Sequence, residues 1–316
     1  MSEYLKRLVV SAVLAIVIVV GLAFSALLAP SLISPTQTPE VTPIPYPTPT
    51  PGPAPPPKLN MSADFASLKG FNVTQKESQG SLYPVLVLPP GGSGSIPIKL
   101  VSTGDEGYTI SLDIGLSGVD PRFKGVRYVF SPSTLKLKAG GEVNSILSIE
   151  VEPDAPHILY DPSINARIEE WGGSIGMGFF YLLIYPHTPS YAYEIFAPTP
   201  GAPQPSPGGE PPPLPPPTVS VKLGENLYIM FDVYKGTPDP SVQVKLSLTH
   251  DSGSLPSAIA AEFNTLEPAS APSYRSVIIL ALTTTEDVRE GTYRMVSTIS
   301  VGLYITERVF YLTVTS

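Results

Sequence analysis

The segment Tyr228–Gly236, YIMFDVYKG, has an earlier counterpart in Ile96–Gly104, IPIKLVSTG, and this pair is the basis of the predicted fold. Further matches follow in the same order along the chain: Tyr108–Ile114 with Val242–Leu248, Phe130 with Phe263, and Ser145–Val151 with Ser276–Leu282. All the matched positions lie 131 to 134 residues apart. A repeated order at a nearly constant spacing indicates two copies of one structural unit.

Within the copies, apolar and polar residues alternate with a period of two. In VQVKLSL (Val242–Leu248) the valines and leucines fall on one side of an extended chain and the polar residues on the other. Such alternation is typical of strands buried on one face. The second copy holds seven such segments, near 218–222, 226–234, 241–250, 258–263, 274–285, 291–301 and 303–315. No segment after Pro30 has a convincing helical period.

Seven short antiparallel strands in about 100 residues are typical of an Ig-like sandwich. Tyr293 follows Gly291 at the start of the sixth strand, which predicts a tyrosine corner, where the hydroxyl bonds to nearby backbone. Phe310, Leu312 and Val314 should line the core from the last strand. The sequence therefore predicts an all-β protein with two tandem Ig-like antiparallel β-sandwiches, behind one N-terminal transmembrane helix and proline-rich linkers.

Two proline-rich stretches set the predicted domain boundaries. Residues 30–57 contain 12 prolines and residues 198–217 contain 11. Proline fixes φ and cannot donate to a β-ladder, so 30–57 is interpreted as an extended stalk of about 85 Å. The stretch 198–217 fits either an interdomain linker or a long loop across one continuous body. The predicted organisation is a cytoplasmic N-terminus (1–7), a membrane anchor (8–29), the stalk (30–57), sandwich 1 (58–197) with an insertion at 157–173, the linker (198–217) and sandwich 2 (218–316).

The segment Leu8–Ala29 is 22 residues long and carries no charge. As a helix it would be about 33 Å long, enough to span a bilayer core of about 30 Å. Lys6 and Arg7 precede it and the next basic residue is Lys58, which places the N-terminus in the cytoplasm and the rest outside. The expectation is a single-pass membrane protein with extracellular C-terminal domains. The alternatives are a cleaved secretory signal, which would make the protein secreted, and, less well matched, a pilin-type leader.

Composition excludes several chemistries. The 316 residues include no cysteine, which rules out disulfides, thiolate metal sites and cysteine nucleophiles. The net charge is −8 with no basic patch, which argues against nucleic acid as a partner. The runs Leu100–Ile114 and Phe130–Pro156 resemble the cell-adhesion-related (CARDB-like) Ig-like domains of archaeal and bacterial surface proteins. That resemblance implies a cell-surface β-sandwich protein and carries little information about function.

Aromatic residues in and after the predicted insertion form the candidate interaction surface. This set is Tyr160, Trp171, Tyr185, Tyr191 and Tyr193. Aromatic rings beside carboxylates can bind sugars or a protein partner, whereas the plainer interpretation is the ordinary aromatic enrichment of β-sheets. Asn60-Met61-Ser62 and Asn72-Val73-Thr74 are N-glycosylation sequons, which predicts a glycoprotein.

No catalytic or cofactor site is predicted. His157, His187 and His250 lack metal-chelating spacing, and the acidic residues of the insertion lack a calcium-loop pattern (Asp154, Asp161, Glu169 and Glu170). The expectation is a non-catalytic structural or interaction protein of the cell envelope, acting in adhesion or surface-layer association with an envelope protein or a glycan. The alternatives are a ligand- or glycan-binding accessory module of a secreted enzyme or transporter, and an extracellular filament subunit.

Overall fold

A computed structural model of the chain describes residues 57–116, 125–199, 214–251, 253–266 and 274–316. These residues belong to one compact unit, Ala54–Ser316, and within them the regular structure is strand throughout. The predicted membrane segment 8–29 lies outside the described residues, as do the cytoplasmic residues and nearly all of the stalk. Where the structure describes the chain, it contains no helix long and apolar enough to cross a membrane.

Thirteen strands precede the second proline-rich stretch. They are β1 (Leu59–Ala63), β2 (Asn72–Ser78), β3 (Ser81–Leu88), β4 (Ser93–Ser102), β5 (Tyr108–Leu116), β6 (Val126–Ser131), β7 (Thr134–Leu137), β8 (Glu142–Val151), β9 (Ile158–Tyr160), β10 (Pro162–Ile168), β11 (Gly173–Phe179), β12 (Tyr181–Ile184) and β13 (Tyr191–Phe196).

Seven strands follow that stretch. They are β14 (Thr218–Lys222), β15 (Asn226–Tyr234), β16 (Val244–His250), β17 (Ile259–Thr265), β18 (Arg275–Thr284), β19 (Gly291–Val301) and β20 (Tyr304–Thr315). The seven predicted segments are confirmed: three have the predicted bounds and the others differ by at most three residues at an end.

The first sandwich is built from two four-stranded sheets. Their strand orders are β1-β4-β8-β6 and β11-β10-β5-β7. Alternate side chains of these strands enter one core, with Ile98, Ile110 and Ile149 at 1 % exposure or less. The core sides of β3, β9 and β12 close it, through side chains such as Leu86 and Leu182.

The second sandwich faces the sheet β14-β20-β19-β16 against β15, β17 and β18. Phe310, Leu312 and Val314 are fully buried in its core, as the alternation of the last strand predicts. The Tyr293 hydroxyl donates to the carbonyl oxygen of Arg289 at 2.7 Å, which confirms the predicted tyrosine corner.

The sequence repeat corresponds to a repeat of strand pairing. In the first half β8 lies between β4 and β6, and in the second half β18 lies between β15 and β17 in the same way. Across each sandwich, β5 pairs with β10 as β16 pairs with β19. The position beside β4 is filled by β1, whereas the equivalent position beside β15 is filled by β13, which runs parallel to it. The strand pairing of a β-sandwich is thus repeated in both halves.

The two halves are joined by one continuous sheet of eight strands, in the order β17-β18-β15-β13-β2-β3-β12-β9. We call it the shared sheet. Strand β13 stands in its middle and is parallel both to β2 of the first half and to β15 of the second. The prediction of two tandem sandwiches divided at 198–217 is therefore corrected: the strand content is right, but the division is not. The physical reason is that β13, YAYEIF, has neighbours on both edges and buried residues on both faces.

The predicted insertion 157–173 is also corrected, because it forms part of the framework. Strands β9 and β10 pair with β12 and β11, making one long hairpin that passes from the shared sheet into the first sandwich. The hairpin changes sheets beside Asp161 on one strand and Phe180 on the other. A bent hairpin has a broken alternation pattern, which is why this segment looks irregular in the sequence.

The shared sheet curls so that its far face encloses a third core. Leu159 and Leu183, near one edge, share this core with Leu266 and Ile279, near the other edge. Both edges also line one cavity of about 380 Å³, between His157 and Leu266. Residues from both halves of the chain are therefore buried together inside the curled sheet.

Candidate functional site

A cluster of charged side chains lies on the enclosed face of the shared sheet, beyond the third core. Its members come from both halves of the chain. Lys76 and Asp161 belong to the first half and Asp232 and Arg275 to the second, and Glu194 lies on the central strand β13. We call these five residues the buried ion cluster. The side chains of Lys76 and Asp232 have no solvent exposure, and that of Glu194 has 4 %.

Local pairing brings these charges together. Glu194 and Asp232 are directly opposite each other on the parallel strands β13 and β15. Lys76, on β2, lies opposite Ala192 and extends its ammonium between the two carboxylates. A lone carboxylate in each of two apolar strands is thus placed beside one lysine, where neither acid needs to be buried unpaired.

Every member of the buried ion cluster has a partner. Lys76 Nζ bonds to Glu194 and lies 2.8 Å from Asp232 Oδ2. Arg275 holds Asp232 by two contacts, with Nε 2.5 Å from Oδ1 and Nη2 2.6 Å from Oδ2. The same guanidinium reaches Asp161 at 3.7 Å, across the interior of the curled sheet. This bidentate geometry is the strong arrangement for arginine and a carboxylate.

Tyrosine and serine hydroxyls complete the cluster. Ser78 and Tyr181 both donate to Glu194, the latter at 3.3 Å, and the Lys76 ammonium lies 3.3 Å from the centre of the Tyr181 ring. Burial, and then the Glu194 charge, raise the pKa of Tyr181 above its usual value, so its hydroxyl remains a donor. The ring of Tyr234 lies 5.2 Å from the Arg275 guanidinium carbon.

The pKa values of the two aspartates of the cluster are shifted in opposite directions. Burial alone would raise the pKa of Asp232, but the charge and hydrogen bonds of Arg275, with those of Lys76, lower it below 3.8. Burial raises the pKa of Asp161 above 3.8 by more than Arg275 lowers it. Asp232 is therefore fixed as an anion. Its pairing suits structural attachment rather than proton transfer, because a general acid or base has a pKa near the working pH.

A second feature of the junction is an open cleft beside β13, whose lining includes Glu194 of the buried ion cluster. Its volume is about 690 Å³, and residues from both halves line it. We call it the junction cleft and use six of its lining residues below: Glu77, Tyr193, Phe196, Tyr304, Glu307 and Arg308. Glu77 accepts a hydrogen bond from the Tyr191 hydroxyl at 3.3 Å, and Tyr193 donates to the carbonyl oxygen of Val309 at 3.0 Å.

The five aromatic residues predicted as an interaction surface are not brought together on one surface. Tyr160 is buried in the first core, Tyr185 in the third and Tyr193 in the second. Trp171 is partly buried against the first core, and Tyr191 is partly buried against the second. The plainer interpretation, aromatic enrichment of buried sheet faces, describes the three buried tyrosines. Tyr193 alone lines the junction cleft.

The remaining predicted sites are placed as follows. Asn60 and Asn72 of the two sequons are exposed, on β1 and at the start of β2, and their glycosylation stays a prediction. His157 and His187 lie in an aromatic group with Tyr185 and Tyr228, in which the His187 and Tyr228 rings stack at 4.4 Å. In the part of the chain that is described, no three histidine or acidic side chains are grouped to hold a metal ion.

The acidic residues of the predicted insertion have separate roles. Asp161 belongs to the buried ion cluster, whereas the Glu170 carboxylate accepts the Thr109 backbone N–H, with each oxygen at 2.8 Å. That hydrogen bond lowers the pKa of Glu170. Sequence reasoning missed Lys76, Glu194, Asp232 and Arg275. The available signal was a single charge inside an otherwise apolar strand, as in YAYEIF and YIMFDVY.

Comparison with known proteins gives no family. No protein-family model and no curated protein matches the sequence. Among solved structures, the titin domains Z1Z2 in complex with telethonin are 11 % identical, with 78 % of this chain and 96 % of that chain covered and a TM-score of 0.22. A Porphyromonas gingivalis W83 protein of unknown function is 11 % identical, with 81 % and 99 % covered and a TM-score of 0.26.

A third solved structure is the cupredoxin domain of amoB from Nitrosocaldus yellowstonii, at 13 % identity and a TM-score of 0.24. The match covers 31 % of this chain and 61 % of that one. These likenesses are too low to bear on function. The Ig-like description rests on the strand order of the two sandwiches and on the Tyr293 hydrogen bond.

Proposed function

We propose that this chain is a membrane-anchored extracellular protein whose two fused sandwiches form a rigid, non-catalytic head for attachment at the cell envelope. The observation that carries the proposal is the position of β13, between β2 of one sandwich and β15 of the other. A shared sheet removes the hinge that a linker between tandem domains provides. A head without such a hinge would carry mechanical load without a change in the relative orientation of its two sandwiches.

The buried ion cluster supports the non-catalytic part of the proposal. The side chains of Lys76 and Asp232 have no solvent exposure and that of Glu194 has 4 %, and each of the three is engaged by an opposite charge. Breaking such a cluster to perform chemistry would leave a buried charge without a partner, which is strongly unfavourable. Its role is the attachment of the two halves to each other.

The N-terminal sequence supports the membrane part. The uncharged segment Leu8–Ala29 would hold the chain in a bilayer, and the proline-rich residues 30–57 would separate the head from the surface by up to about 85 Å. That placement would suit surface-layer association or adhesion. The resemblance of Leu100–Ile114 and Phe130–Pro156 to cell-adhesion-related domains agrees with it.

The test is fractionation of the native protein, together with N-terminal sequencing and protease treatment of intact cells. The proposal predicts a membrane-bound chain that retains Leu8–Ala29 and loses residues 58–316 to external protease. A mature chain that begins at Ala26, after the small residues Ala23 and Ser25, and is released into the medium would favour the secreted alternative. Recovery in the cytoplasm, protected from external protease, would contradict the proposal.

A further inference from the structure

The junction cleft carries charged groups that the fold itself does not neutralise. Among the described residues, Glu77, Glu307 and Arg308 form no ion pair. Arg308 donates only to the Thr306 hydroxyl at 3.2 Å and to the Glu307 carbonyl oxygen at 3.0 Å. In the buried ion cluster, by contrast, every charge has a partner. The polar groups of the cleft therefore remain available to a ligand.

Aromatic rings stand beside these charges. Phe196 is 45 % exposed, and Tyr304 is half-buried against the second core. Both side chains line the cleft together with the buried Tyr193, and one face of the Phe196 ring stacks on Tyr234 at a centroid distance of 4.8 Å. The cleft thus combines hydrogen-bond acceptors, guanidinium donors and apolar faces.

The mixture of charges decides the class of ligand. A simple cation entering the cleft would approach Arg308, and a simple anion would approach Glu77 and Glu307. Either ion would meet a like charge as well as an opposite one, which weakens its binding. A neutral molecule with many hydroxyl groups avoids this conflict, because its hydroxyls can donate to carboxylates and accept from a guanidinium.

We propose that the junction cleft is a binding site for a neutral saccharide. The C–H face of a sugar ring would lie against Phe196 and Tyr304, and its hydroxyls would bond to Glu77, Glu307 and Arg308. The volume of about 690 Å³ falls within the range of small-ligand sites, and such sites favour the junctions of domains. This inference deepens the proposed attachment function and rests on it for its biological meaning, although binding itself can be measured independently of the anchor.

The experiment uses the full chain, purified in a detergent without a sugar headgroup, since such headgroups would compete. The probes are glucose, galactose, mannose, N-acetylglucosamine and their disaccharides, measured by saturation-transfer NMR and titration calorimetry. Trilysine and glucose 6-sulfate serve as the charged probes. The variants are Glu307→Gln and Phe196→Ala, with Glu262→Gln as the matched control, because Glu262 is exposed on β17 and does not line the cleft.

The expected result is binding of at least one neutral saccharide, weakened about tenfold by Glu307→Gln and also by Phe196→Ala, and unchanged by Glu262→Gln. Thermal unfolding of each variant identifies losses that come from misfolding. The proposal is overturned if no neutral saccharide binds, if a charged probe binds in preference, or if Glu262→Gln weakens binding equally. Failure here with a membrane-bound, externally accessible chain overturns the saccharide site alone, whereas a cytoplasmic chain overturns the proposed function.

Discussion

At the scale of single residues, Asp232 is the carboxylate of the buried ion cluster that binds two fully or largely buried cations, Lys76 and Arg275, at once. Replacement by asparagine leaves two cations facing a neutral amide in the interior. We expect Asp232→Asn to lower the free energy of unfolding by about 3–5 kcal/mol, as measured by urea denaturation. The matched control is Asp251→Asn, whose exposed pair with Arg294 should contribute no more than about 1 kcal/mol. Equal effects of the two variants would contradict the central role of Asp232.

A double-mutant cycle tests whether Lys76 and Glu194 act as a pair. Lys76→Met alone leaves two carboxylates without their cation and should destabilise strongly. Adding Glu194→Gln removes one of those carboxylates, so the double variant should regain part of the lost stability. Strictly additive losses in urea denaturation would mean that the two side chains are not coupled.

The opposite pKa shifts of Asp232 and Asp161 predict a pH dependence. Because the folded pKa of Asp232 is lowered, the stability from its charge is present above about 3.8 and is lost as the pH falls through the folded value. Because the pKa of Asp161 is raised in the folded state, the stability that this residue contributes declines as the pH rises from about 3.8 through the folded value. The urea midpoint of Asp161→Asn, measured from pH 7 to pH 3, should therefore lack that decline. A curve parallel to that of the unmodified protein would contradict the assignment.

At the scale of elements, a glycine just after β15 sets the direction in which the chain leaves that strand. Gly236 has a φ of +69°, and a Cβ there would lie 2.8 Å from the Pro198 carbonyl oxygen. Gly224 has a similar φ of +77° with open space around it. We expect Gly224→Ala to cost about 1 kcal/mol from backbone strain alone, and Gly236→Ala to cost clearly more, because it adds a collision with backbone. Thermal unfolding of both variants makes the comparison, and equal costs would show that the close approach is unimportant.

The tyrosine corner is a second feature at this scale. Tyr293→Phe removes the hydrogen bond to the Arg289 carbonyl, and we expect a loss of about 1 kcal/mol in urea denaturation. Tyr311→Phe is the control, since its hydroxyl forms no hydrogen bond within the described part of the chain. The bond would be judged unimportant if both variants unfolded at the same midpoint.

Strand positions were predictable because alternation is a local property of the chain. The segments 218–222, 226–234 and 291–301 needed only their own residues to be located. The buried ion cluster was not, because Lys76 is 118 residues from Glu194 and 156 from Asp232. Nothing local distinguishes parallel pairing on both edges of β13 from the antiparallel pairing of an ordinary sandwich. The junction cleft was missed for the same reason, since its lining comes from β2 and the turn after it, from β13, from the residues just before β14 and from β20.

At the scale of the whole molecule, the shared sheet makes the two sandwiches interdependent. Three cores meet on it, and the third contains side chains from both halves, such as Val85 and Met230. Neither half can lose its strands in this sheet without exposing the third core and the buried ion cluster to water. We therefore expect the described residues of the unit Ala54–Ser316 to fold as one cooperative unit, joined through β13.

Native-state hydrogen exchange followed by mass spectrometry tests that claim most directly, with Asp232→Asn compared against the unmodified protein. Peptides from β8 in the first sandwich and from β19 in the second would be followed under conditions in which exchange reports the free energy of opening. Interdependence predicts that both peptides lose protection by the same free energy, although Asp232 lies in β15. A loss of protection confined to β19, with β8 unchanged, would contradict this interdependence and would indicate two independently folding domains.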